Sequence, residues 1–406
     1  MKSKSFHMLW LGQSFANLGD VFYIVSLISI LYSVTESSIY LALLPFLNML
    51  GRFISGIISP LILHMYKLKS VLVWSQFSKT VVLFLLAYCL SSQVASSIWF
   101  IIICMFFIAF FDGWAMPATD ALLPRLVEPH ELMKANSFVS VISETIQLGG
   151  WALGGILVAI LGKQNVIWLT FALFVVSTIM MQLIVDKTSF QAIDVKQKTM
   201  KILLEGWVII WKNPIFRSIH IIIFIEAIAN VVWIAAILYV FITEILNVTE
   251  VWWGYINTAF FLGLILGGII CSKLSLLFEK AIKLTILATS VGVSFVTLIF
   301  GLNSLAGIAL IIVFLSGLIN QIKGITIQTY LQSVAFIEDL PKIYSAQHSL
   351  VSLAFGFSTL IFGGVADYIG VQFTFIVAGI LLAGSALYLF TVNQRFSSKY
   401  LLNRED

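Results

Sequence analysis

Charge is what this chain has least of: Asp, Glu, Lys and Arg make up 10% of its 406 residues, against 60% hydrophobic residues and a mean hydropathy of +1.04. A soluble domain carries about a quarter of its residues charged, so a water-solvated globular surface is excluded. Cysteine is nearly as scarce. Cys89, Cys104 and Cys271 all lie in apolar runs without metal-ligand spacing, which leaves neither a disulfide framework nor a metal site and makes them packing residues. Catalytic and nucleotide motifs are missing too. His130-Glu131 has no second His at the spacing of a zinc protease, and no Gly-rich loop ends in the Lys that would hold ATP phosphates. The expectation is a non-enzyme without cofactor or metal. The net charge of +4 reflects topology and attraction to anionic lipid, with no nucleic acid as partner.

What is present is apolar runs of membrane-spanning length. A helix crosses a hydrocarbon core of roughly 30 Å in about 20 residues, and its backbone must be satisfied internally. Runs at 7–32, 38–63, 69–91, 97–119, 135–161 and 165–185 give six spans, and 216–243, 251–274, 281–302, 305–332, 344–366 and 370–392 give six more. The first follows Lys2 and Lys4 like a secretory signal, but it is long and eleven spans follow, so it is read as retained. With the N-terminus inside, nineteen of the 23 Lys and Arg fall on the cytoplasmic side, Lys163 alone falls outside, and Arg52, Lys79 and Lys323 fall within spans. That asymmetry predicts cytoplasmic termini. Asn247-Val-Thr249 is a glycosylation sequon in an outer loop.

The chain also repeats itself. A shift of 208 positions aligns Glu131 with Asp339, Leu132 with Leu340, Lys134 with Lys342, Ser137 with Ser345, Gly155 with Gly363 and Gly162 with Gly370 in one ungapped register. The fold class expected is therefore all-α and integral to the membrane: twelve transmembrane helices in two parallel six-helix pseudo-repeats. The domains are an N-terminal bundle (1–185), a cytoplasmic linker (186–214), a C-terminal bundle (215–392) and a cytoplasmic tail (393–406). Within the linker, Lys201–Lys212 reads as an amphipathic helix on the inner membrane surface, with a disordered linker as the alternative.

Several segments carry a family likeness. The first span reads Trp10-Leu-Gly-Gln-Ser-Phe-Ala-Asn-Leu-Gly-Asp20. Pro117-Ala-Thr-Asp-Ala-Leu-Leu-Pro-Arg-Leu-Val127 precedes Glu131-Leu-Met-Lys-Ala-Asn-Ser137, and Gly363-Gly-Val-Ala-Asp-Tyr-Ile-Gly370 opens the last span. Together they resemble the drug:H+ antiporter group of the major facilitator superfamily, which includes macrolide efflux proteins and the enterobactin exporter. The motif positions are Pro117, Ala118, Pro124, Asn136, Gly154, Gly155, Asp367 and Gly370. Two departures stand out. Between the second and third spans, Pro60 replaces the family's Gly, and His64 and Met65 replace its Asp-Arg pair. In the fifth span, the motif's Gly-Pro becomes Gly150-Trp151.

Ionisable groups inside a span cost roughly 2.5–3.5 kcal/mol each, so each one invites a functional reading. Asp20, Arg52, Asp112, Glu144, Glu226 and Lys323 are the candidates for proton coupling or a substrate cavity, with Lys79 as a further intramembrane charge. Asp20 and Arg52 sit about halfway across and are placed to pair, whereas Glu226 has no obvious local partner. Lys79 and Lys323 snorkel or pair structurally, and a static network of Asp20, Arg52 and Asp112 is the alternative to a transport role. The resemblance implies that the first, fourth, seventh and tenth spans line a central cavity, which puts Asp20, Asp112, Glu226 and Lys323 beside it. Gln13, Asn17, Trp151, Asn230 and Trp233 are candidates for a ligand wall, with Trp114 beside them, and His220 and His348 read as interfacial.

The resemblance further implies a secondary active transporter that exports amphiphilic drugs or antibiotics, macrolide-like compounds among them, in exchange for protons by alternating access. Its partners are a small-molecule substrate, protons and the lipid bilayer, and it is expected as a monomer in the plasma membrane. Two alternatives stay open. One is export of a specific metabolite, siderophore, peptide or lysolipid. The other is a transport-inactive immunity or sensor protein.

Overall fold

The computed structural model describes residues 3–35, 38–91, 98–186, 199–233 and 235–392. Residues 187–198 of the linker and the whole tail expected at 393–406 lie outside the described residues, as do Lys2, Lys187, Lys196, Lys198, Arg395, Lys399 and Arg404. Among the described residues the secondary structure is helical throughout, and twelve helices are long and apolar enough to cross a membrane.

In chain order the first six are α1 (Lys4–Thr35), α2 (Ser38–Met65), α3 (Leu68–Ser91), α4 (Ile98–Leu126), α5 (Leu132–Leu161) and α6 (Lys163–Gln182). The amphipathic segment follows as α7 (Thr199–Lys212). Beyond it come α8 (Pro214–Ala229), α9 (Ala235–Glu244), α10 (Val251–Lys273), the short α11 (Ser275–Lys280), α12 (Ile282–Leu302), α13 (Ala306–Val334), α14 (Leu340–Tyr368) and α15 (Val371–Val392). The start of α8 shows why the chain folds this way locally. Asn213 Oδ1 accepts from the amides of Ile215 and Phe216, and Pro214 fills the first helical position, where a missing N–H costs nothing.

Two boundaries differ from the sequence reading. α4 runs on to Leu126 past the expected end at 119, so Pro117, Ala118 and Pro124 are intrahelical, and each proline removes one backbone hydrogen bond from the ladder. The seventh span, expected to be continuous over 216–243, is broken: α8 ends at Ala229, Asn230–Trp233 forms a 3₁₀ turn, and α9 begins at Ala235. No Pro or Gly marks the break. Asn230 caps α8 with its N–H on the Glu226 carbonyl, and the β-branched Val231 and Val232 that follow are weak helix formers.

The distribution of side chains is that of a protein solvated by lipid. Trp99, Ile160, Leu360 and Phe390 point outward, while Lys79, Lys323, Gln76 and Gln332 are buried. The chain forms two compact units. One comprises Met1–Glu128, Thr145–Trp207 and Ile337–Ser349, and the other Pro129–Glu144, Val208–Phe336 and Leu350–Asp406. The helices α5 and α14 are thus shared. The start of α5 is held in the second unit by Asn136, whose amide donates to Thr329 Oγ1 at 2.9 Å and to Gln332 Oε1 at 2.7 Å on α13. Met133 packs there with Cys271, Ile322 and Ile325. The start of α14 is held in the first unit by Lys342, which pairs with Glu205 on α7 at 2.7 Å, and by His348, which donates to Asp120 on α4 at 3.0 Å.

In the first unit a core of Tyr23, Leu27, Leu83, Leu86, Ile108 and Phe174 joins α1, α3, α4 and α6. In the second, Phe241, Phe300 and Phe375 stack together at 4.7 to 5.0 Å between ring centres. Two glycines of the 208-residue repeat have a common cause: Gly162 (φ 83°) turns α5 into α6 and Gly370 (φ 115°) turns α14 into α15, both in the left-handed region that favours glycine.

Small residues set the helix spacing around the charges. A Cβ on Gly113 of α4 would lie 2.6 Å from Ser55 Cβ and 2.8 Å from the Arg52 carbonyl oxygen of α2, so this contact admits nothing larger than glycine. Gly113→Ala is expected to destabilise the protein by about 1–3 kcal/mol through overpacking. Gly155→Ala, with no atom within 4 Å of the added carbon, is expected to leave stability unchanged. Thermal unfolding midpoints in detergent check both.

Candidate functional site

Four charged side chains from four helices meet in the first unit. Lys79 Nζ of α3 donates to Asp20 Oδ2 of α1 at 3.0 Å and to Asp112 Oδ1 of α4 at 3.0 Å. The second oxygen of Asp112 takes Arg52 Nη2 of α2 at 2.6 Å. Two cations and two anions make the cluster neutral, which is how charge becomes tolerable at that depth. The glycine at 113 brings α2 and α4 together one residue beyond Asp112, and Gly51 does the same one residue before Arg52, where its Cβ would lie 2.8 Å from the Phe106 carbonyl oxygen.

Exposure grades across the cluster. The Lys79 side chain is 2% exposed, Asp112 17%, Asp20 19% and Arg52 38%. Lys79 is therefore the buried hub, its ammonium also 5.0 Å from the centre of the Phe174 ring, and Arg52 is the accessible end. Tyr23, fully buried one turn from Asp20, hydrogen-bonds Asn48. Toward the N-terminus of α1, Gln13 donates to Thr119 Oγ1 at 2.6 Å, which ties α1 to α4 through polar groups, and Asn17 lies half-buried between that bond and Asp20 in sequence.

This arrangement corrects one expected pairing. Asp20 does not pair with Arg52: Lys79 takes Asp20, and Arg52 takes Asp112. Lys79, which sequence reasoning weighted least, stands at the centre, and the signal for it was present as the one charged residue in the middle of α3.

In the second unit, Glu226 of α8 does have a partner. Lys323 Nζ of α13 lies 2.7 Å from Glu226 Oε1, with the two side chains 4% and 13% exposed for Lys and Glu. One turn beyond Glu226 the helix breaks at Asn230. Trp233, read as a ligand wall, is half-buried and packs against the aromatic core, with ring centres 4.9 Å from Phe300 and 5.3 Å from Phe375. Trp114 stacks on Phe110 and Phe111 of its own helix. Glu144 of α5 is half-buried and takes part in none of these ion pairs, while Trp151 on the same helix is 46% exposed.

Of the motif positions, Asn136 anchors α5, Gly154 faces α1 where an added Cβ would lie 3.2 Å from Val25, and Asp367 is exposed near the end of α14. Sequence reasoning missed two pairs, Asp120–His348 and Glu205–Lys342, because their members lie far apart in the chain. Of the histidines read as interfacial, His220 is buried with Nδ1 on the Phe216 carbonyl. Among the described residues no cluster of three or more His, Cys, Asp or Glu is placed to hold a metal ion. A cavity of about 440 Å³ opens between α3 and α6, lined by Phe77, Phe84, Phe171, Thr80, Thr178 and Gln182 among others, and holds none of the candidate residues.

The site is thus two charge-compensated clusters inside membrane-spanning helices. The sequence profile of the Major Facilitator Superfamily matches residues 9–336. An uncharacterized MFS-type transporter of Bacillus subtilis, YfmI, is 32% identical over 394 residues, covering 96% of both chains, and a second, YjbB, is 29% identical over 393 residues. The crystal structure of the human organic anion transporter MFSD10 superposes with a TM-score of 0.78 at 10% identity, covering 95% of this chain and 99% of that one. The Escherichia coli fucose:proton symporter FucP gives 0.72 at 16% identity over 95% of this chain and 98% of its own, a likeness of fold. On its profile match and its end-to-end identity to YfmI, this twelve-span, multi-pass membrane protein belongs to the Major Facilitator Superfamily, and its family points to transport rather than catalysis.

Proposed function

We propose that the chain is a secondary active transporter of the plasma membrane that exports amphiphilic, macrolide-like compounds in exchange for protons, with both termini in the cytoplasm. The observation that carries this proposal is the four-helix charge cluster of Asp20, Lys79, Asp112 and Arg52. Buried ion pairs are expensive, and replacing them with well-packed apolar residues is often neutral or stabilising, so packing alone does not account for a graded cluster with one accessible end. Such a cluster supplies polar contacts for a ligand at Arg52 while Lys79 keeps the carboxylates compensated.

The broken seventh span supports the same reading. Discontinuous helices near mid-membrane are a recurring feature of transporter binding sites, and here the break follows Glu226 by one turn. An ion gradient supplies the energy in this proposal, and the family's alternating access supplies the path. A second reading has its own support: each unit holds both signs of charge, which suits a polar or zwitterionic metabolite better than a neutral drug.

Cells expressing the protein are expected to retain less of a lipophilic, macrolide-like drug than control cells, and a protonophore is expected to restore retention. Asp20→Asn leaves Lys79 its Asp112 partner, so the protein is expected to insert normally while its flux falls about tenfold, equivalent to ~1.4 kcal/mol on the limiting barrier. Unchanged retention across a drug panel would favour the metabolite. Flux insensitive to the protonophore would remove proton coupling.

A further inference from the structure

The cavity between α3 and α6 belongs to neither charge cluster. Phe77, Val81 and Phe84 of α3 and Phe171, Val175 and Ile179 of α6 wall a volume of about 440 Å³, within the range of small-molecule sites. Phe77, Val81, Phe84 and Ile179 are 41–48% exposed on helices of membrane-spanning length, so the opening meets hydrocarbon rather than water. Rings close one end, where Phe84 lies 5.4 Å from Phe171 and 6.0 Å from Trp168 between centres. The two hydroxyls of the lining ask nothing of an occupant. Thr80 and Thr178 Oγ1 donate to the Gln76 and Phe174 carbonyls at 2.7 and 2.8 Å and lie 3.1 Å from each other. A polar ligand would leave its own groups unpaired against such walls, whereas a hydrocarbon chain gains dispersion contact and gives up no hydrogen bond.

Length and charge say which chain. From Phe84 to Lys69, α3 rises about 22 Å. Half of a bilayer of about 40–45 Å, head groups included, is about 20–22 Å. An acyl chain ending against the Phe84 ring therefore carries its head group to the level of Lys69. At about 100° per residue, Lys69 also falls within about 20° of Thr80 around the α3 axis, and exposed Lys67 precedes it in the turn from α2. Negative charge is scarce here, because no Asp or Glu occurs between Glu36 and Asp112. At the end of α6, the Asp186 carboxylate lies 3.9 Å from Arg125 and is buried, so it does not offset the two lysines. The mouth of the groove thus attracts an anionic head group.

We infer that this groove binds one anionic phospholipid of the surrounding membrane, with an acyl chain seated between α3 and α6 and the phosphate at Lys67 and Lys69. The lipid is a structural ligand rather than cargo, and the inference is independent of what the protein transports. Its effect falls on the contact behind the charge cluster. Lys79 directly precedes Thr80, and Phe174, whose ring lies under the Lys79 ammonium, is one turn from Thr178. An occupied groove therefore backs the two helices that hold the buried hub.

The experiment is native mass spectrometry of the purified full chain, titrated in detergent with dioleoylphosphatidylglycerol, with dioleoylphosphatidylcholine, or with oleic acid as the chain without a glycerophosphate. The wild type is expected to hold one phosphatidylglycerol about tenfold more tightly than phosphatidylcholine. Val175→Trp fills the groove from α6 and Val81→Trp fills it from α3, and both are expected to lose the bound phospholipid. Leu387→Trp, on the exposed face of α15, is expected to keep it. Changing Lys67 and Lys69 together to Gln is expected to bring phosphatidylglycerol down to the phosphatidylcholine level. Thermal unfolding verifies that each variant is folded. Unchanged occupancy in folded Val175→Trp and Val81→Trp, or equal affinity of the wild type for the two phospholipids, would overturn the inference. Oleic acid bound as tightly as phosphatidylglycerol would overturn the assignment to a phospholipid.

Discussion

A charge in hydrocarbon is costly unless an opposite charge meets it or a proton neutralises it, and the first of these organises much of the interior of the protein. Lys79 is the clearest case, because its 2% exposed ammonium is held by Asp20 and Asp112 together. Remove that hub and two carboxylates face one guanidinium at mid-membrane. The pairings also decide how four helices of the first unit are registered, since α1, α2, α3 and α4 each contribute one member. In the second unit Lys323 and Glu226 do the same for α8 and α13.

Short ion pairs between helices need backbones that approach closely, and here the small residues serve the charged ones. Gly51 and Gly113 flank Arg52 and Asp112 and bring α2 against α4, while Gly19, one residue before Asp20, gives room to the Phe174 ring that also lies under Lys79. Polar side chains then anchor the two shared helices. Asn136 ties α5 to α13, and Lys342 and His348 tie the start of α14 to α7 and α4. The family's usual Asp-Arg pair is absent at His64 and Met65. The contacts of His348 with Asp120 and of Lys342 with Glu205 are polar fastenings that this chain has in the same unit.

Much of the fold was legible because it is written in local periodicity and composition. All twelve spans follow from apolar run length, and the equivalence of Gly162 with Gly370 follows from a repeat in one register. The break after Ala229 was not legible, since no Pro or Gly announces it and an Asn followed by two valines is compatible with a continuous helix. Partner choice was illegible for another reason. Asp20 with Lys79, Glu226 with Lys323 and Asp120 with His348 are separated by 59 residues in the first case and 228 in the last, so only tertiary packing selects them. Trp233 carried the same ambiguity that affects any aromatic residue in a span, and its contacts with three phenylalanines from α10, α12 and α15 depend on tertiary packing that the sequence does not display.

The central claim is that the charges of Asp20, Arg52, Lys79 and Asp112 in one unit, and of Glu226 and Lys323 in the other, are compensated by one another, and the isolated pair in the second unit tests it most directly. Unfolding free energies of Glu226→Gln, Lys323→Met and the double variant form one thermodynamic cycle. Charge compensation predicts that each single change costs about 3–5 kcal/mol, by leaving one buried charge alone, and that the double variant recovers most of the loss. A double variant as unstable as the sum of the two singles would contradict it.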